Sequence, residues 1–339
     1  MSLEIVPVSP DDEDLFSRWH ATYLAANVHE VGRFHACWAL PELRVSMEPS
    51  RRRWSAGYAG LEGGRVVVAG FVAMPLLDNL DAALVQVHTL PEARRRGHGT
   101  AMLAVLEQVA RSHGRTRLDS EATYPYAAGP AGDGMPAVAF AHGHGYTFGL
   151  SDVERELALP VGDDLLVALA AEAADAHASY TLRSWVGAVP DELVTSWLEL
   201  SATLMTESPT GEMELEDEAV DVDALREAEE QQVRQGRERF HTAALDSDGT
   251  VVAYTDLVTT IHEPGRAYQW GTLVRRADRG HRLGLAVKVA NQAQLQRLRP
   301  DITHLTTFNA EVNTHMIGVN ERLGFEPVAR LAEFQKRVG

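Results

Sequence analysis

The sequence predicts an α/β protein of two similar domains in tandem, each with a mixed, mostly antiparallel central sheet flanked by helices. The first observation behind this prediction is an Arg- and Gly-rich turn that occurs twice, at residues 94–100 and 279–285. The second is that each turn follows a strand-like segment and opens a helix-like one. Strands and helices that alternate in both halves are typical of α/β domains.

The spacing between matching features of the two halves is nearly constant. Arg94 and Arg279 in the two turns are 185 positions apart, and Leu61 and Leu245 in two hairpin-like segments are 184 apart. The Gly145–Tyr146 and Gly324–Phe325 pairs are 179 apart. A duplicated domain produces such an offset. We therefore expect an N-terminal domain at 1–160, an Ala-rich linker at 161–178 and a C-terminal domain at 179–339.

Hydrophobic periodicity and capping residues predict the individual elements of each half. In the first half they indicate strands at 3–8, 65–74 and 83–89 and helices at 11–26 and 101–111. In the second half they indicate strands at 180–185, 240–246, 250–258 and 268–274 and helices at 191–205, 222–235 and 286–298.

Composition narrows the class of protein. The chain has 339 residues, enough for two domains with their own cores, and 45% of them are hydrophobic. An apolar run long enough to cross a bilayer is absent from the sequence, and residues 1–10 do not resemble a signal peptide, so we expect no membrane association and a cytoplasmic location. Cys37 is the only cysteine. It excludes internal disulfides and thiolate-rich zinc sites, and we expect it to be a buried structural thiol.

The net charge of −17 argues against a nucleic-acid partner and is compatible with a cationic or amine-bearing substrate. Much of the acid lies at 212–230, where a solvated helix face or loop is the simpler interpretation.

Each repeated turn is predicted to bind an anion. Unpaired backbone N–H groups and the positive end of the helix dipole meet where a Gly-rich turn opens a helix. Neither the nucleoside-triphosphate pattern G-x-x-x-x-G-K-[ST] nor the dinucleotide pattern G-x-G-x-x-G is present. What remains is R-x-x-G-x-G at Arg94, Gly97 and Gly99, with a degenerate copy at Arg279, Arg282 and Gly284.

This pattern resembles the acetyl-CoA pyrophosphate loop of the GCN5-related N-acetyltransferase (GNAT) superfamily. Downstream of the second turn, Asn309, Asn313 and Met316 precede Asn320-Glu321-Arg322-Leu323-Gly324-Phe325, close to the superfamily's terminal signature. The first half has a looser version that ends in Gly145–Tyr146. The two-domain layout is similar to that of mycothiol synthases.

The resemblance implies an acyl-CoA-dependent N-acyltransferase without a metal. Acetyl-CoA would be the co-substrate, and the acetyl group would move to the amine of a small molecule by direct attack in a ternary complex. Two alternatives stay open: acetylation of a cysteinyl amine, as in mycothiol synthases, and a non-catalytic acyl-CoA sensor. We expect a monomer or homodimer.

The resemblance also assigns residues to acetyl-CoA. Strand ends would lie along the pantetheine arm, with a strand N–H to stabilise the oxyanion, and the turns would hold the pyrophosphate. In the first half these residues are Val87, His88, Thr89, Arg94, Arg95, Arg96, Gly97, His98, Gly99 and Thr100. In the second half they are Thr272, Leu273, Val274, Arg279, Gly280, His281, Arg282, Leu283, Gly284, Leu285, Asn309 and Asn313. Asn309 could equally cap a helix, whereas for Asn313 we favour ligand binding. Arg282 replaces a motif glycine, which puts close approach of the backbone in question.

The acid and base are not evident. Many superfamily members protonate the leaving thiolate with a tyrosine, but its positions here are Ala141 and Asn320. Glu121 and Glu311 are candidate bases, with His88 and His304 as alternatives. The catalytic candidates are thus Asn320, Glu311 and Glu121. Since the second half has the more complete Asn and terminal signatures, we expect catalysis between about residue 180 and the end. The first half would bind CoA weakly or form a wall of the cleft.

Overall fold

The computed structural model describes residues 2–338, which form two compact units. The first unit contains the chain up to Asp152, Thr210–Glu214, and the chain from Ala329 onward. The second contains Val153–Pro209 and Leu215–Val328. Each unit is a mixed sheet flanked by helices, which confirms the predicted fold class. The boundaries proposed from the repeat differ from these divisions and stay a prediction.

Helices and strands alternate along the first unit. Its elements are β1 Glu4–Val8, α1 Glu13–Val31, α2 Leu40–Ser46, β2 Arg53–Glu62, β3 Arg65–Pro75, β4 Ala82–Thr89, α3 His98–Ser112, β5 Arg117–Pro125, α4 Pro136–Gly143 and the start of β6 Thr147–Ala158. The Asp12 carboxylate accepts from the Leu15 N–H at 3.1 Å and caps α1, as its sequence position predicts. The helix continues past the predicted residue 26 and ends at Gly32, whose φ is 58°.

The second unit repeats this order with two additional helices. It contains the end of β6, then α5 Asp163–Ala174, β7 Thr181–Val186, α6 Val194–Ser201, α7 Leu204–Glu207, α8 Val222–Arg234, β8 Arg237–Leu245, β9 Val251–Thr260, β10 Arg266–Val274, α9 Leu283–Leu298, β11 His304–Ala310, α10 Thr314–Leu323 and the start of β12 Glu326–Arg337. The additional helices are α5, before strand β7, and a third helix between β7 and β8.

Two segments differ from their predicted form. The 161–178 segment contains helix α5, because Leu166, Leu169 and Ala173 are buried in the same core as residues of α9. The helix expected at 191–205 is divided into α6 and α7. Between them the Ser201 and Thr203 hydroxyls hydrogen bond back to the Leu198 and Leu200 carbonyls, which competes with a continuous helix.

The order of the strands in each unit determines where the two repeated turns lie. In the first unit the order is β1-β2-β3-β4-β5-β12-β6, with Ala329–Arg337 of β12 antiparallel to Pro125–Arg117 of β5. In the second it is β6-β11-β10-β9-β8-β7. A short parallel pairing occurs in each unit, β4 with β5 in the first and β10 with β11 in the second. Helices α3 and α9 pack on these sheets and begin where β4 and β10 have ended.

Candidate acyl-CoA sites

The two turns have the same backbone conformation. In the first, Arg95 and Gly97 have φ of 62° and 84°; in the second, Gly280 and Arg282 have φ of 91° and 53°. Glycine thus occupies one of the two left-handed positions in each turn, but not the same one. An arginine backbone in the left-handed conformation is less stable than in the right-handed one by on the order of 1 kcal/mol. Replacement of the motif glycine by Arg282 therefore leaves the shape of the turn intact.

Both helix starts offer backbone N–H groups to an anion. Gly97 and Arg282 are the N-cap residues of α3 and α9, and neither helix has a side-chain cap hydrogen bond within residues 2–338. The first N–H groups of such a helix need acceptors from elsewhere, and a phosphate supplies them. The donor set therefore fits the pyrophosphate of acyl-CoA in both units. Leu283 and Leu285 could contribute only backbone groups, because their side chains are buried in the core.

The turn arginines make matching contacts in the two units. Arg94 Nε donates to the Thr89 carbonyl at 3.3 Å, and Arg279 Nε donates to the Val274 carbonyl at 3.3 Å. Each also faces one carboxylate: Arg94 lies 2.6 Å from Glu30, and Arg279 lies 2.8 Å from Glu207. The duplication seen in the sequence thus extends to side-chain contacts. It also means that these arginines have intramolecular partners that a phosphate would replace.

Arg95 is exposed, whereas four other polar or charged side chains of the turns contact neighbouring residues. Arg96 pairs with Glu62, which lies 3.9 Å from His98, and Arg282 pairs with Glu172. His281 Nδ1 lies 3.1 Å from the Asp278 carbonyl.

Glycine has a different role at the two helix starts. A Cβ on Gly99 would lie 3.2 Å from the Phe140 ring and 3.3 Å from Thr89 Oγ1, which is tighter than ordinary contact. A Cβ on Gly284 would meet only Val274 Cγ2 at 3.6 Å. The first unit is thus packed more tightly around its turn, where Thr100 Oγ1 also lies 3.0 Å from His144 Nε2.

The parallel strands separate beyond a short paired segment. In the first unit β4 pairs with β5 only over Ala82–Leu84, and β4 continues to Thr89 in regular register with β3. The Asp81 carbonyl accepts from β5. Because peptide groups alternate along a strand, the Val87 N–H points to the same side, into the gap. Val87 is therefore a backbone donor of the kind predicted for the pantetheine arm.

In the second unit β10 has a bulge where it leaves β11. Pairing with β11 covers Arg266–Gln269, and the register with β9 shifts between Gln269 and Thr272. Trp270 and Gly271 therefore oppose one residue, Asp256. A bulge bends its strand and re-aims the residues that follow, here Thr272, Leu273 and Val274.

A buried polar network holds this bulge. The Asp256 carboxylate, 2% exposed, accepts from the Gly271 N–H at 2.8 Å and pairs with Arg239. Gln269 Nε2 donates to the Asp256 carbonyl at 2.7 Å. A Cβ on Gly271 would lie 2.9 Å from Asp256 Oδ1 and 2.8 Å from the Tyr254 ring. The first unit has Phe71 where the second has Asp256, and β4 runs there without a bulge.

A cleft lies beside the end of β10 in the second unit. Its volume is about 250 Å³, and its lining includes Leu273 and Val274 of β10, Arg275 and Arg276 between β10 and the turn, and Glu199 and Glu207 of α6 and α7. The cleft is therefore open to a small molecule next to the strand that is predicted to hold the pantetheine arm.

The asparagines Asn309 and Asn313 both make contacts within the protein. Asn313, for which we favour ligand binding from the sequence, is the N-cap of α10, and its Oδ1 accepts from the Met316 N–H at 3.2 Å. Asn309 Oδ1 accepts from Nδ2 of Asn320, which is fully buried. Asn320 thus links α10 to the end of β11 and has no acidic proton for a thiolate. Glu311 lies half-buried in the turn between these elements. A role of Asn309 or Asn313 toward CoA stays a prediction.

We expect Asn313→Ala to lower the free energy of unfolding by about 1 kcal/mol, because it removes a side-chain cap. Chemical denaturation measures this loss. Asn313→Asp is the control, since a carboxylate caps as well, and it should stay close to the parent; an equal loss in both variants would contradict the capping role.

Two carboxylates of the first unit lie opposite each other, on the neighbouring strands β5 and β12. Glu121 accepts from Gln86 Nε2 at 3.0 Å, and Glu333 of β12 lies directly opposite Glu121 in the strand register. Desolvation raises the pKa of Glu121, and desolvation together with Asp152, Glu121 and Asp119 raises the pKa of Glu333 to about 8. The sequence interpretation missed Glu333, because nothing local indicates that the last strand pairs with β5.

His88 of β4 lies near Tyr23 and Asn27 of α1. Its Nδ1 is 3.1 Å from Asn27 Nδ2, its ring packs edge-on to Tyr23, and burial lowers its pKa to about 4. The His88 ring is therefore neutral at physiological pH. The contacts of the ring named above are with helix α1.

Glu333→Gln should stabilise the protein more at pH 8 than at pH 5. A carboxyl whose pKa is raised on folding favours the folded state while it is protonated, and this contribution is lost as pH rises toward 8. We expect a gain of about 1 kcal/mol at pH 8, or about 2–4 °C in Tm. Differential scanning calorimetry at the two pH values tests this. Equal gains at both would show that Glu333 does not titrate in this range.

Comparison with known proteins identifies the fold. Residues 18–128 match the acetyltransferase (GNAT) family. A tandem GNAT protein from the clavulanic acid biosynthesis pathway, solved without AcCoA, has 31% identity and a TM-score of 0.79, with 100% of this chain and 99% of that chain covered. The chain belongs to the GNAT family, as a tandem member. Curated protein sequences give no match.

More distant structures share the fold alone. A GNAT protein from Sphaerobacter thermophilus has 15% identity and a TM-score of 0.66 over 99% of this chain and 96% of its own. The glucosamine N-acetyltransferase region of a fungal multi-domain β-N-acetylglucosaminidase has 14% identity and a TM-score of 0.65, over 98% of this chain and 38% of that one. Membership of the GNAT family supports an acyl transfer from acyl-CoA as the reaction of this protein.

Within residues 2–338, no helix has the length and apolar character that a membrane span requires. The same residues contain no group of three or more His, Cys, Asp or Glu side chains that could hold a metal ion.

Proposed function

We propose that the protein transfers an acetyl group from acetyl-CoA to the amine of a small molecule, and that the second unit performs this chemistry. One observation carries the proposal. In the second unit an uncapped helix start and its arginine-bearing turn follow a strand that leaves its parallel neighbour at a bulge, beside an open cleft. This arrangement offers donors for a pyrophosphate, a gap for the pantetheine arm and room for an acceptor.

In the proposed reaction the neutral amine attacks the thioester carbonyl, the C–N bond forms, and the C–S bond breaks to release CoA. Backbone N–H groups of the diverging part of β10 would stabilise the oxyanion. Asn320 cannot protonate the leaving thiolate. We therefore propose that water takes the proton that the attacking nitrogen loses as the C–N bond forms and passes a proton to the thiolate, so that the products are the amide and CoA thiol. The acetyl transfer itself needs only alignment of the two substrates, which the gap and the cleft would provide.

The first unit keeps the pyrophosphate turn and the strand gap but has a regular β4 in place of the bulge. We propose that it binds acyl-CoA without turnover. The matching backbone of the two turns supports binding in both units, and the missing bulge supports chemistry in only one.

Two measurements test this function. Acetyl-CoA should raise the Tm in a concentration-dependent manner that a chelator does not change. Release of CoA thiol, followed with a panel of small amines that includes a cysteinyl amine, reports turnover. A Tm shift without thiol release from any amine would favour the acyl-CoA sensor, which the absence of an acidic residue at both Ala141 and Asn320 makes the second candidate. Absence of a Tm shift at millimolar acetyl-CoA would contradict both.

A further inference from the structure

The cleft of the second unit shares one residue with the pyrophosphate turn. Glu207 lines the cleft, and its Oε2 also lies 2.9 Å from Arg276 Nε and 2.8 Å from Arg279 of the turn. The two arginines hold the pKa of Glu207 below its ordinary value, so its carboxylate is ionised at neutral pH. A single carboxylate thus pairs with two cations, one in the turn that is predicted to bind the pyrophosphate and one three residues before it.

The second carboxylate of the cleft has no such partner. Glu199 lies two turns before Glu207, on α6, and is exposed. It makes no ion pair with any other residue in the part of the chain that the structure describes. With Glu207 held by arginines, the cleft has one carboxylate free to receive a cation; with Glu207 released, it has two.

Phosphate would release Glu207. Arginine binds a phosphate through charge-assisted hydrogen bonds at least as well as a carboxylate, and a pyrophosphate adds the N–H groups of the helix start. The Arg276 side chain is 74% exposed and that of Arg279 is 47% exposed, so their exchange of partners needs no repacking of the core.

This proposal rests on the proposed function. We propose that the cleft binds an acceptor that carries a positive charge in addition to its reacting amine. Glu199 and Glu207 bind this charge after Arg276 and Arg279 have exchanged Glu207 for the phosphates of CoA. The volume of about 250 Å³ limits the acceptor to a small molecule. The reacting nitrogen must be neutral to attack, so the bound cation is a second group; a short diamine has both. CoA and the diamine then bind with positive coupling.

Calorimetry with 1,3-diaminopropane tests the coupling without requiring turnover. We expect the diamine to bind at least 10-fold more tightly to protein saturated with CoA than to free protein. Propylamine, which has no second cation, should show no such gain. Equal diamine affinity with and without CoA, or no diamine binding at millimolar concentration, would overturn the proposal.

Three matched variants assign the residues. Glu207→Gln should bind CoA more tightly, because the arginines lose their competing carboxylate, yet bind the diamine about 10-fold more weakly in the presence of CoA. Glu199→Gln should weaken the diamine alone. Glu172→Gln removes the carboxylate that pairs with Arg282 and Arg322 and is not part of the cleft lining, so it can affect CoA binding but not the diamine.

The outcomes separate this proposal from the proposed function. Diamine binding that depends on CoA and on Glu207, without thiol release, would uphold the shared carboxylate and contradict acetyl transfer. Thiol release with other amines, together with CoA affinity unchanged in Glu207→Gln, would uphold acetyl transfer and contradict the shared carboxylate.

Discussion

Asp256→Ala is expected to lower turnover about 100-fold and the free energy of unfolding by about 3 kcal/mol. The carboxylate accepts from the Gly271 N–H and pairs with Arg239, whose side chain is 18% exposed. Its removal leaves a largely buried guanidinium and a strand N–H without their partner, and loss of one member of a buried ion pair costs about 3–5 kcal/mol. The bulge then loses its principal acceptor.

The effect on turnover has a separate cause. If the bulge aims the N–H groups of β10 at the thioester, a shifted strand misplaces an oxyanion donor, and loss of one such donor costs about 100-fold or more in kcat. The pyrophosphate turn begins several residues later, so the affinity for CoA should change little. We therefore expect kcat to fall while the Kd for CoA stays within about threefold.

Asp256→Asn separates the two effects. Its amide oxygen can still accept from the Gly271 N–H, but it no longer carries a charge for Arg239. We expect it to retain most of the turnover and to lose part of the stability. Steady-state kinetics and urea denaturation of the two variants measure both quantities. A folded Asp256→Ala variant with more than half of the parental kcat would show that the bulge does not serve catalysis.

The repeated turn could be predicted from the sequence because its signal is local. Glycine and arginine at fixed spacing after an apolar run indicate a strand, a turn and a helix start, and all three occur at both positions. The left-handed conformation of Arg282 was not predictable in this way, because the backbone of the turn is imposed by the flanking strand and helix and overrides a preference of about 1 kcal/mol.

What the sequence could not indicate depends on contacts between distant segments. Pairing of Glu333 with Glu121 joins residues 212 positions apart, and their opposition is fixed by strand register rather than by any local pattern. The cap that Asn313 makes depends on where β11 ends and α10 begins, and helix boundaries predicted from sequence are uncertain by several residues. The Asp256 network likewise connects β8, β9 and β10. In the sequence, each of its side chains lies in a separate strand segment, and nothing local indicates that they interact.

Which unit performs the chemistry is tested best by charge reversal at two matched arginines. Arg94 and Arg279 make the same 3.3 Å contact to the end of the preceding strand, and each faces one carboxylate, so Arg94→Glu and Arg279→Glu change equivalent positions of the two turns. Gly99 and Gly284 would be a poorer pair, because only Gly99 is crowded by its neighbours.

Arg279→Glu should lower kcat/KM for acetyl-CoA about 100-fold. If Arg279 binds the pyrophosphate as proposed, the change removes a charge-assisted hydrogen bond worth about 1.5–3 kcal/mol and places a carboxylate against the phosphate. Arg94→Glu should leave kcat/KM within about threefold and instead remove one CoA equivalent from the calorimetric stoichiometry. Circular dichroism confirms that both variants are folded. The reverse result, with turnover lost only in Arg94→Glu, would move the chemistry to the first unit. Val87 on β4, Glu121 on β5 and Glu333 on β12 would then become the residues to test.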